Sequence, residues 1–426
     1  MRLKKIDVVI VVALVLLSGV FLIKAGYLET PVDDVVDPLG DDTDVVVPEE
    51  PPIPNPPTSL VPSNRKEVSP EDEGRHYDQL LVGREWWYYS AVFDSPNSEL
   101  KNWSVAVSFN HMAAGDLFGS NKPDLLVVSL FGDEGEVLGG MKNEVRYLNI
   151  FRSGTLTASS PGVSVQFEDS WAEGEYPNWH VHAEDMDIDE EHVIIIDLDF
   201  VAENLPMWTI GSRAFDKSES SLANYLFSGC NVSGTISIDG EEFYVEGNGH
   251  HEHSWSPKNV IKQAIDGWDW GYFSLDNGWS LYVSQYLPTP QYLTSKATSM
   301  SPFGTCLLFT EDGVTELHNT NLDIKMEDPK IFPFVKMPAE YSLSSKVSWN
   351  PLYLVSQSLL YGTDLELDCD ISVSTPYNKV WKFPSYVGMK LGQSEIDGTL
   401  SWTENGDKVE VEISGIGTTW SMRALF

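Results

Sequence analysis

Basic residues are scarce in this chain. Its 426 residues hold 27 Lys and Arg against 64 Asp and Glu, a formal net charge of −37. A field of that sign repels phosphate backbones and excludes nucleic acid as a partner. Cysteine is scarcer still: Cys230, Cys306 and Cys369 stand far apart with no C-x-x-C pair. Neither a disulfide framework nor a zinc ribbon is encoded, and one bridge at most can form. There is no Gly-x-Ser-x-Gly elbow and no Gly-rich phosphate loop, so acyl transfer through a serine and nucleotide binding find no machinery. The acidic run from Glu184 to Glu191 lacks the spacing of an EF-hand loop and reads as solvated surface. Long helical periodicity is absent as well. What remains is 42% hydrophobic and 12% aromatic, enough for two domains and incompatible with wholesale disorder.

Only one long apolar run exists, Val8 to Ile23, preceded by Arg2, Lys4 and Lys5 and closed by Lys24. That length spans a bilayer with snorkelling ends, and the basic flank orients it with the cytoplasmic side first. A signal peptide has a similar profile, but no small-x-small site closes the run before Lys24, which favours an uncleaved anchor over residues 1–28. The rest of the chain is then expected outside the cytoplasmic membrane. Residues 29–74 carry thirteen acids against Arg65 and Lys66, a charge of −11, with the Pro-rich run Pro48 to Pro57. This composition buries too little to fold and reads as a disordered stalk. Taking away the stalk's −11 and the +3 of the first 28 residues leaves −29 on residues 75–426.

From residue 75 onward the sequence is short alternating runs punctuated by Gly, Asp-Gly and Asn-Gly, an antiparallel all-β signature. Helical spacing is confined to Ser218–Phe227 and Pro257–Ile265, the latter with Ser256 as N-cap. The chain also repeats itself. Trp86-Trp87-Tyr88-Tyr89-Ser90 followed by Trp103-Ser104-Val105-Ala106-Val107-Ser108 is echoed by Trp268-Asp269-Trp270-Gly271-Tyr272-Phe273-Ser274 followed by Trp279-Ser280-Leu281-Tyr282-Val283-Ser284. The ends echo too: Gly234-Thr235-Ile236-Ser237, Gly247-Asn248-Gly249 and Trp255 against Gly398-Thr399-Leu400-Ser401, Gly415-Ile416-Gly417 and Trp420. Two copies of one β unit follow, residues 75–257 and 258–426, each of a size that suits a lipocalin-like barrel with room for a ligand.

The densest chemistry lies where the copies join, in Gly249-His250-His251-Glu252-His253-Ser254-Trp255 and Gly267-Trp268-Asp269-Trp270. Strand alternation puts His251 and His253 on one face, His250 and Glu252 on the other, and Asp269 opposite Trp268 and Trp270. From its setting in the sequence Asp269 is either a general acid in an apolar aromatic environment or a structural group capping a turn or paired with Arg84. A four-ligand metal site could be assembled only from the one-face pairs His251-x-His253 and His180-x-His182. Their spacing is not that of zinc ligands, so they read as scaffolding and no metal or cofactor is expected.

These motifs resemble those of the carotenoid 1,2-hydratase (hydroxyneurosporene synthase) and AttH-like proteins. Arg84-Glu85-Trp86-Trp87-Tyr88 is similar to that family's Glu-Trp-Trp-Tyr opening, Glu252-His253-Ser254-Trp255 to its Asp-His-x-Trp, and Asn224-Tyr225-Leu226-Phe227-Ser228 to its Tyr-Ser element. The resemblance covers residues 75–290. It implies two tandem lipocalin-like β-barrel domains and a cofactor-free addition of water to an isolated isoprenoid double bond. The machinery carried over is His253, Trp255 and Asp269, with Glu252 as a further group to orient water and Trp faces to stabilise a cation. Two departures stand out. Gly267 occupies the place of the family's Tyr two residues before the Asp, and Thr418-Thr419-Trp420 replaces a Glu after the last Gly-x-Gly. These favour binding of an isoprenoid or lipid-like molecule, walled by Trp86, Trp87, Tyr88, Tyr225, His251, Trp268 and Trp270, with hydratase chemistry as the alternative.

Overall fold

Apolar and polar residues alternate along most of the chain, and in the computed structural model the resulting strands pair antiparallel into two large curled sheets. The structure describes residues 54–55, 68–77, 82–112, 124–143, 156–186, 192–210, 223–257, 265–288, 303–317, 322–327, 330–332, 335–345, 368–382, 387–404 and 406–424. These belong to one compact unit, residues 53–426. The expected anchor over 1–28 lies outside the described residues, as does most of the stalk. Among the described residues no helix is long and apolar enough to cross a membrane.

The first sheet is built from β1 (Val82–Val92), β2 (Ser104–Met112), β3 (Leu125–Phe131), β4 (Val137–Asn143), β5 (Leu156–Ala158) and β6 (Val163–Phe167). It continues with β7 (Ser170–Glu175), β8 (Asn178–Met186), β9 (Val193–Ala202), β10 (Met207–Ile210), β11 (Ala223–Ile238) and β12 (Glu241–Pro257). Their order is β4-β3-β2-β1-β12-β11-β9-β8-β7-β6-β5, with β10 on β11. The sheet curls until β4 meets β8, where Lys142 Nζ donates to the Glu184 carbonyl at 2.6 Å.

The second half runs through β13 (Ile265–Leu275), β14 (Ser280–Pro288), β15 (Phe303–Thr310), β16 (Gly313–Leu317) and β17 (Leu322–Glu327). A separate hairpin, β18 (Lys330–Phe332) with β19 (Val335–Met337), follows, then β20 (Glu340–Ser345), β21 (Asp368–Lys382), β22 (Val387–Glu404) and β23 (Asp407–Ala424). The sheet order is β16-β15-β14-β13-β23-β22-β21-β20-β17.

The two orders are the same topology written twice: β1 to β4 correspond to β13 to β16, and β12 with β11 to β23 with β22. The Gly-x-Gly echo marks the same bend in each copy. A Cβ on Gly247 would stand 2.7 Å from the Phe93 Cα, and one on Gly415 would stand 2.9 Å from the Leu275 Cα. Only glycine permits that approach of the two backbones.

Two expectations need correction. Residues 68–74, read as the end of the stalk, belong to the fold: α1 (Pro70–Glu73) packs against the first sheet with Asp72 and Glu73 buried. Asn55 also donates to Asp312 at 2.7 Å. Of the helical spacing over Ser218–Phe227, residues 218–222 lie outside the described residues, and residues 223–227 belong to β11, where they find ladder partners in β12 and bury Tyr225 and Phe227 on one face. Ser256 and Pro257 likewise end β12, and residues 258–264 lie outside the described residues.

The sheets meet back to back. Tyr88, Leu125, Val127 and Phe131 of the first pack against Met389, Leu391, Trp420 and Met422 of the second. Ser104 Oγ donates to Gln393 Oε1 at 3.0 Å, and Tyr272 Oη to Asn248 Oδ1 at 2.7 Å. Trp420 sits at the centre, with its ring 5.7 Å from Tyr88 and 5.9 Å from Trp270. Truncating a buried tryptophan removes its transfer energy and leaves a cavity, so Trp420→Ala is expected to cost about 3 to 5 kcal/mol by denaturant titration.

Candidate functional site

Because β1 and β12 are directly paired, their residues sort strictly by face. Glu85, Trp87 and Tyr89 stand opposite Trp255, His253 and His251 and all point into the first sheet. A carboxylate there is costly unless donors surround it. Glu85 has them. It accepts from the backbone N–H of His76 (2.9 Å) and of Tyr77 (2.8 Å), while His76 Nδ1 and His253 Nε2 each lie 2.9 Å from Oε1. Burial alone would raise its pKa, but the hydrogen bonds from His253 and His76 win and the net direction is down. Trp255 stacks on His76 at 3.8 Å and Trp87 on His253 at 4.8 Å, so both rings are fixed from one side.

The segment that brings His76 into place is α1. Ser69 caps it, accepting from Asp72 N and donating from its own N to Asp72 Oδ2 at 2.9 Å, with Pro70 opening the helix. The helix carbonyls then face inward. Asp72 O lies 3.0 Å from His253 Nδ1, and Glu73 O accepts from Trp87 Nε1 at 3.0 Å. The Glu73 side chain accepts from Trp179 Nε1 at 2.8 Å and from Tyr176 N at 3.0 Å. Burial pushes its carboxyl up to about 7 in spite of those two donors. Tyr225 Oη, 3.2 Å from His253 Nδ1, completes the enclosure. His251 donates from Nδ1 to the Tyr88 carbonyl at 3.1 Å and stacks on Tyr89, and burial holds its pKa well below the usual range.

The even-numbered residues face the other sheet. Glu252 Oε1 accepts from Asn224 Nδ2 at 2.9 Å and from Trp86 Nε1 at 3.3 Å. His250 lies between Tyr272 at 5.1 Å and Tyr282 at 5.6 Å. Trp86 stacks on Trp268 at 6.2 Å, and Tyr88 meets Trp270 edge-on at 4.5 Å. Glu252 and His253, adjacent in sequence, therefore serve different compartments.

Asp269 occupies a third. It sits inside the second sheet, where Arg423 Nη2 approaches Oδ1 at 2.8 Å and Oδ2 at 2.9 Å. Gln285 Nε2 donates to Oδ2 and Tyr341 Oη to Oδ1, each at 3.1 Å. The partner weighed from sequence, Arg84, is replaced by Arg423, and the expected convergence of Asp269 with His253 does not occur. Trp86, Trp268 and Trp270 join the interface between the sheets, whereas Trp87, Trp255, Tyr225 and His251 join the first interior. Gly267 now has a physical reason: a Cβ there would meet the Met422 carbonyl and come within 3.1 Å of Arg423 Cδ. A tyrosine at this position would displace the guanidinium stem. Beside Asp269 lies a small half-open cavity of about 20 Å³ between apolar walls that include Phe273, Val283, Leu343 and Val373.

Registering the two halves on Gly249 and Gly417 makes the divergence explicit. Glu85, Trp87, His253 and Trp255 correspond to Gly267, Asp269, Ser421 and Arg423. Each copy buries one carboxylate on its first strand and one basic group on its last, but in the second copy both have moved by two residues along their strands.

The four-histidine arrangement is ruled out by face. His180 and His182 point away from the first interior and pair with Asp197 at 3.1 and 2.9 Å, whereas His251 and His253 are buried inside. Cys230 is no nucleophile, since burial pushes its thiol up to about 12.

No protein-family model matches the chain, and no curated protein matches it in sequence. Solved structures do. An AttH-type protein of Nitrosomonas europaea superposes with a TM-score of 0.51 over 84% of this chain and 96% of its own, at 16% identity. Kievitone hydratase of Nectria haematococca gives 0.52 over the same shares at 10% identity. The likeness is one of fold. It agrees with the resemblance read from the motifs and extends it across both halves.

Glu73, His76 and Glu85 went unselected in the sequence, as did Gln285, Tyr341 and Arg423. The Ser69-Pro70-x-Asp72 capping box was a legible signal for α1, and Glu85 lay within a quoted motif. The Asp269 partners had none, since they come from three separate strands.

Glu73 makes the site pH-dependent. Its folded pKa, about 7, exceeds the 4.5 of the unfolded chain, so the folded state holds a proton that the unfolded state releases between those values. Stability therefore falls as pH rises through that window, by up to about 3 kcal/mol. In Glu73→Gln this component of the slope disappears, which thermal midpoints of the two proteins between pH 5 and pH 8 will measure.

Proposed function

We propose that this chain is a membrane-anchored, extracytoplasmic protein of two lipocalin-like units that binds an apolar isoprenoid or other lipid-like molecule. The observation that carries the reading is the second-sheet cleft. Its walls are Phe273, Val283, Leu343 and Val373, and its polar groups, Tyr341, Gln285 and Asp269, gather at one place. At about 20 Å³ the cleft holds little more than a water, so its apolar walls must part to admit the end of a hydrophobic chain, and the clustered polar groups suit a single hydroxyl or carbonyl there. Val8 to Ile23 would hold it at the membrane where such molecules are found. The fold shared with AttH-type protein and hydratase structures is compatible with this use and does not by itself select a ligand.

A second reading, addition of water to an isolated double bond, is favoured by one feature. Glu73 is a buried carboxyl with its pKa near 7, set among Trp87, Trp179 and Tyr176. Such a group is about half protonated at neutral pH, which suits general acid catalysis. In this reading His253 and Trp255 line the same interior as Glu73, whereas Asp269, paired with Arg423, and Glu252, facing the other sheet, stand outside it.

Native mass spectrometry of the detergent-solubilised full chain, incubated with a total isoprenoid lipid extract, separates the two. Binding predicts a retained lipid released unchanged, lost when Val283→Trp fills the cleft and kept in Trp86→Ala. A product heavier by one water, made by wild type and missing in Glu73→Gln, would replace binding by catalysis. No retained lipid, or retention in Val283→Trp, would sink the cleft as the binding site.

A further inference from the structure

The first interior contains a group of donors that the ligand reading leaves unused. His76 Nδ1, Glu85 Oε1 and His253 Nε2 are all buried and lie within 4.8 Å of one another. Two of the three separations, His76 to Glu85 and His253 to Glu85, are 2.9 Å. Two imidazole nitrogens and one carboxylate oxygen form a donor set for Zn²⁺ or a similar borderline divalent cation, with bonds of about 2.0 to 2.2 Å. Tetrahedral ligands at that distance stand about 3.4 Å apart, so the two short separations must open by about half an ångström and the third must close by up to about 1.4 Å.

Orientation of the rings points the same way. The Asp72 carbonyl, 3.0 Å from His253 Nδ1, can only accept, so it would take the hydrogen of that nitrogen whenever Nε2 gives up its own proton to a metal ion. Otherwise Nε2 donates to Glu85, and a bound cation would take the place of that proton between the two atoms. A backbone carbonyl that fixes a histidine's free N–H while the other nitrogen ligates is the usual outer shell of a metal-bound imidazole. The second carboxylate oxygen is held by the N–H groups of His76 and Tyr77, and the two rings are held by Trp255 and Trp87. Each ligand is thus locked by a partner of its own.

We infer that His76, Glu85 and His253 form a binding site for one divalent transition-metal ion of the zinc type, clamping the segment after α1 onto β1 and β12. The site is independent of the cleft beside Asp269, and its test does not depend on any lipid.

Full-length protein is dialysed against Zn²⁺, desalted, and its zinc measured by inductively coupled plasma mass spectrometry. Glu85→Gln, His76→Gln and a His180→Ala/His182→Ala double variant are treated alike. The double variant controls for zinc on the exposed histidines. The expected result is about one zinc per chain in wild type and in the double variant, and roughly tenfold less in Glu85→Gln and His76→Gln of unchanged circular dichroism. Chelation should lower the wild-type melting midpoint, and Co²⁺ in place of zinc should give the visible absorption of a nitrogen and oxygen ligand field. Wild type that binds neither ion would overturn the inference and leave a shared proton between the rings and Glu85. Zinc that vanishes with His180 and His182 would overturn it as well. Should both buried variants fail to fold, the cobalt spectrum of the wild type and zinc retention by the double variant decide the question.

Discussion

Burial of the Glu85 carboxylate is the constraint around which the first half of the molecule is arranged. Removing a carboxylate from water costs several kcal/mol even after the protein relaxes. Only a full set of donors makes the buried state tolerable. β1 and β12 supply just one of those donors, His253. The others, two backbone N–H groups and an imidazole, come from residues 76 and 77, so the segment behind α1 must lie across the interior for the sheet to bury this charge. The rest follows: α1 ends with Asp72 and Glu73 aimed inward, His253 finds a carbonyl for its second nitrogen, and Glu73 is enclosed between tryptophan and backbone donors.

The internal repeat shows how one architecture carries two interiors. Strand order and the Gly-x-Gly bends are common to both halves, and so is the placement of large aromatic rings between the sheets. On the equivalent strands, displaced by two residues, one copy uses Glu85 with His253, the other Asp269 with Arg423. The displacement is coupled to side-chain volume. Arg423 occupies the place that Trp255 fills in the first copy, and Gly267 leaves room for its stem where the first copy has Glu85. The first interior is packed with rings stacked on the buried histidines, while the second retains a cleft. A single repeated sheet thus provides an aromatic core with titratable groups on one side and an apolar pocket with a polar floor on the other.

Much of this was legible in the sequence, for reasons that the structure makes plain. Alternation and turn residues gave the all-β class, and the doubled Trp-rich hairpin with its doubled Gly-x-Gly ending gave the repeat, because strand pairing and backbone approach leave marks at short range. The faces of His250 through His253 were also readable, since a strand alternates whatever its partner. Residues 68–74 were misread because composition dominates a short acidic, Pro-containing segment, and the capping box of Ser69 and Asp72 spans only four residues. Asp269 could be placed on its face but not given its partners. Arg423, Gln285 and Tyr341 reach it from β23, β14 and β20, and nothing local in the sequence ties those strands to one point.

The central claim, that Glu85 holds the segment after α1 inside the first sheet, is tested most directly by amide hydrogen exchange at His76 and Tyr77. Both N–H groups donate to the Glu85 carboxylate, so in wild type they should exchange as slowly as the amides of β1 and β12. In Glu85→Gln they should exchange far faster while those strands remain protected. Rapid exchange of His76 and Tyr77 in wild type, or protection that survives the substitution, would contradict the claim.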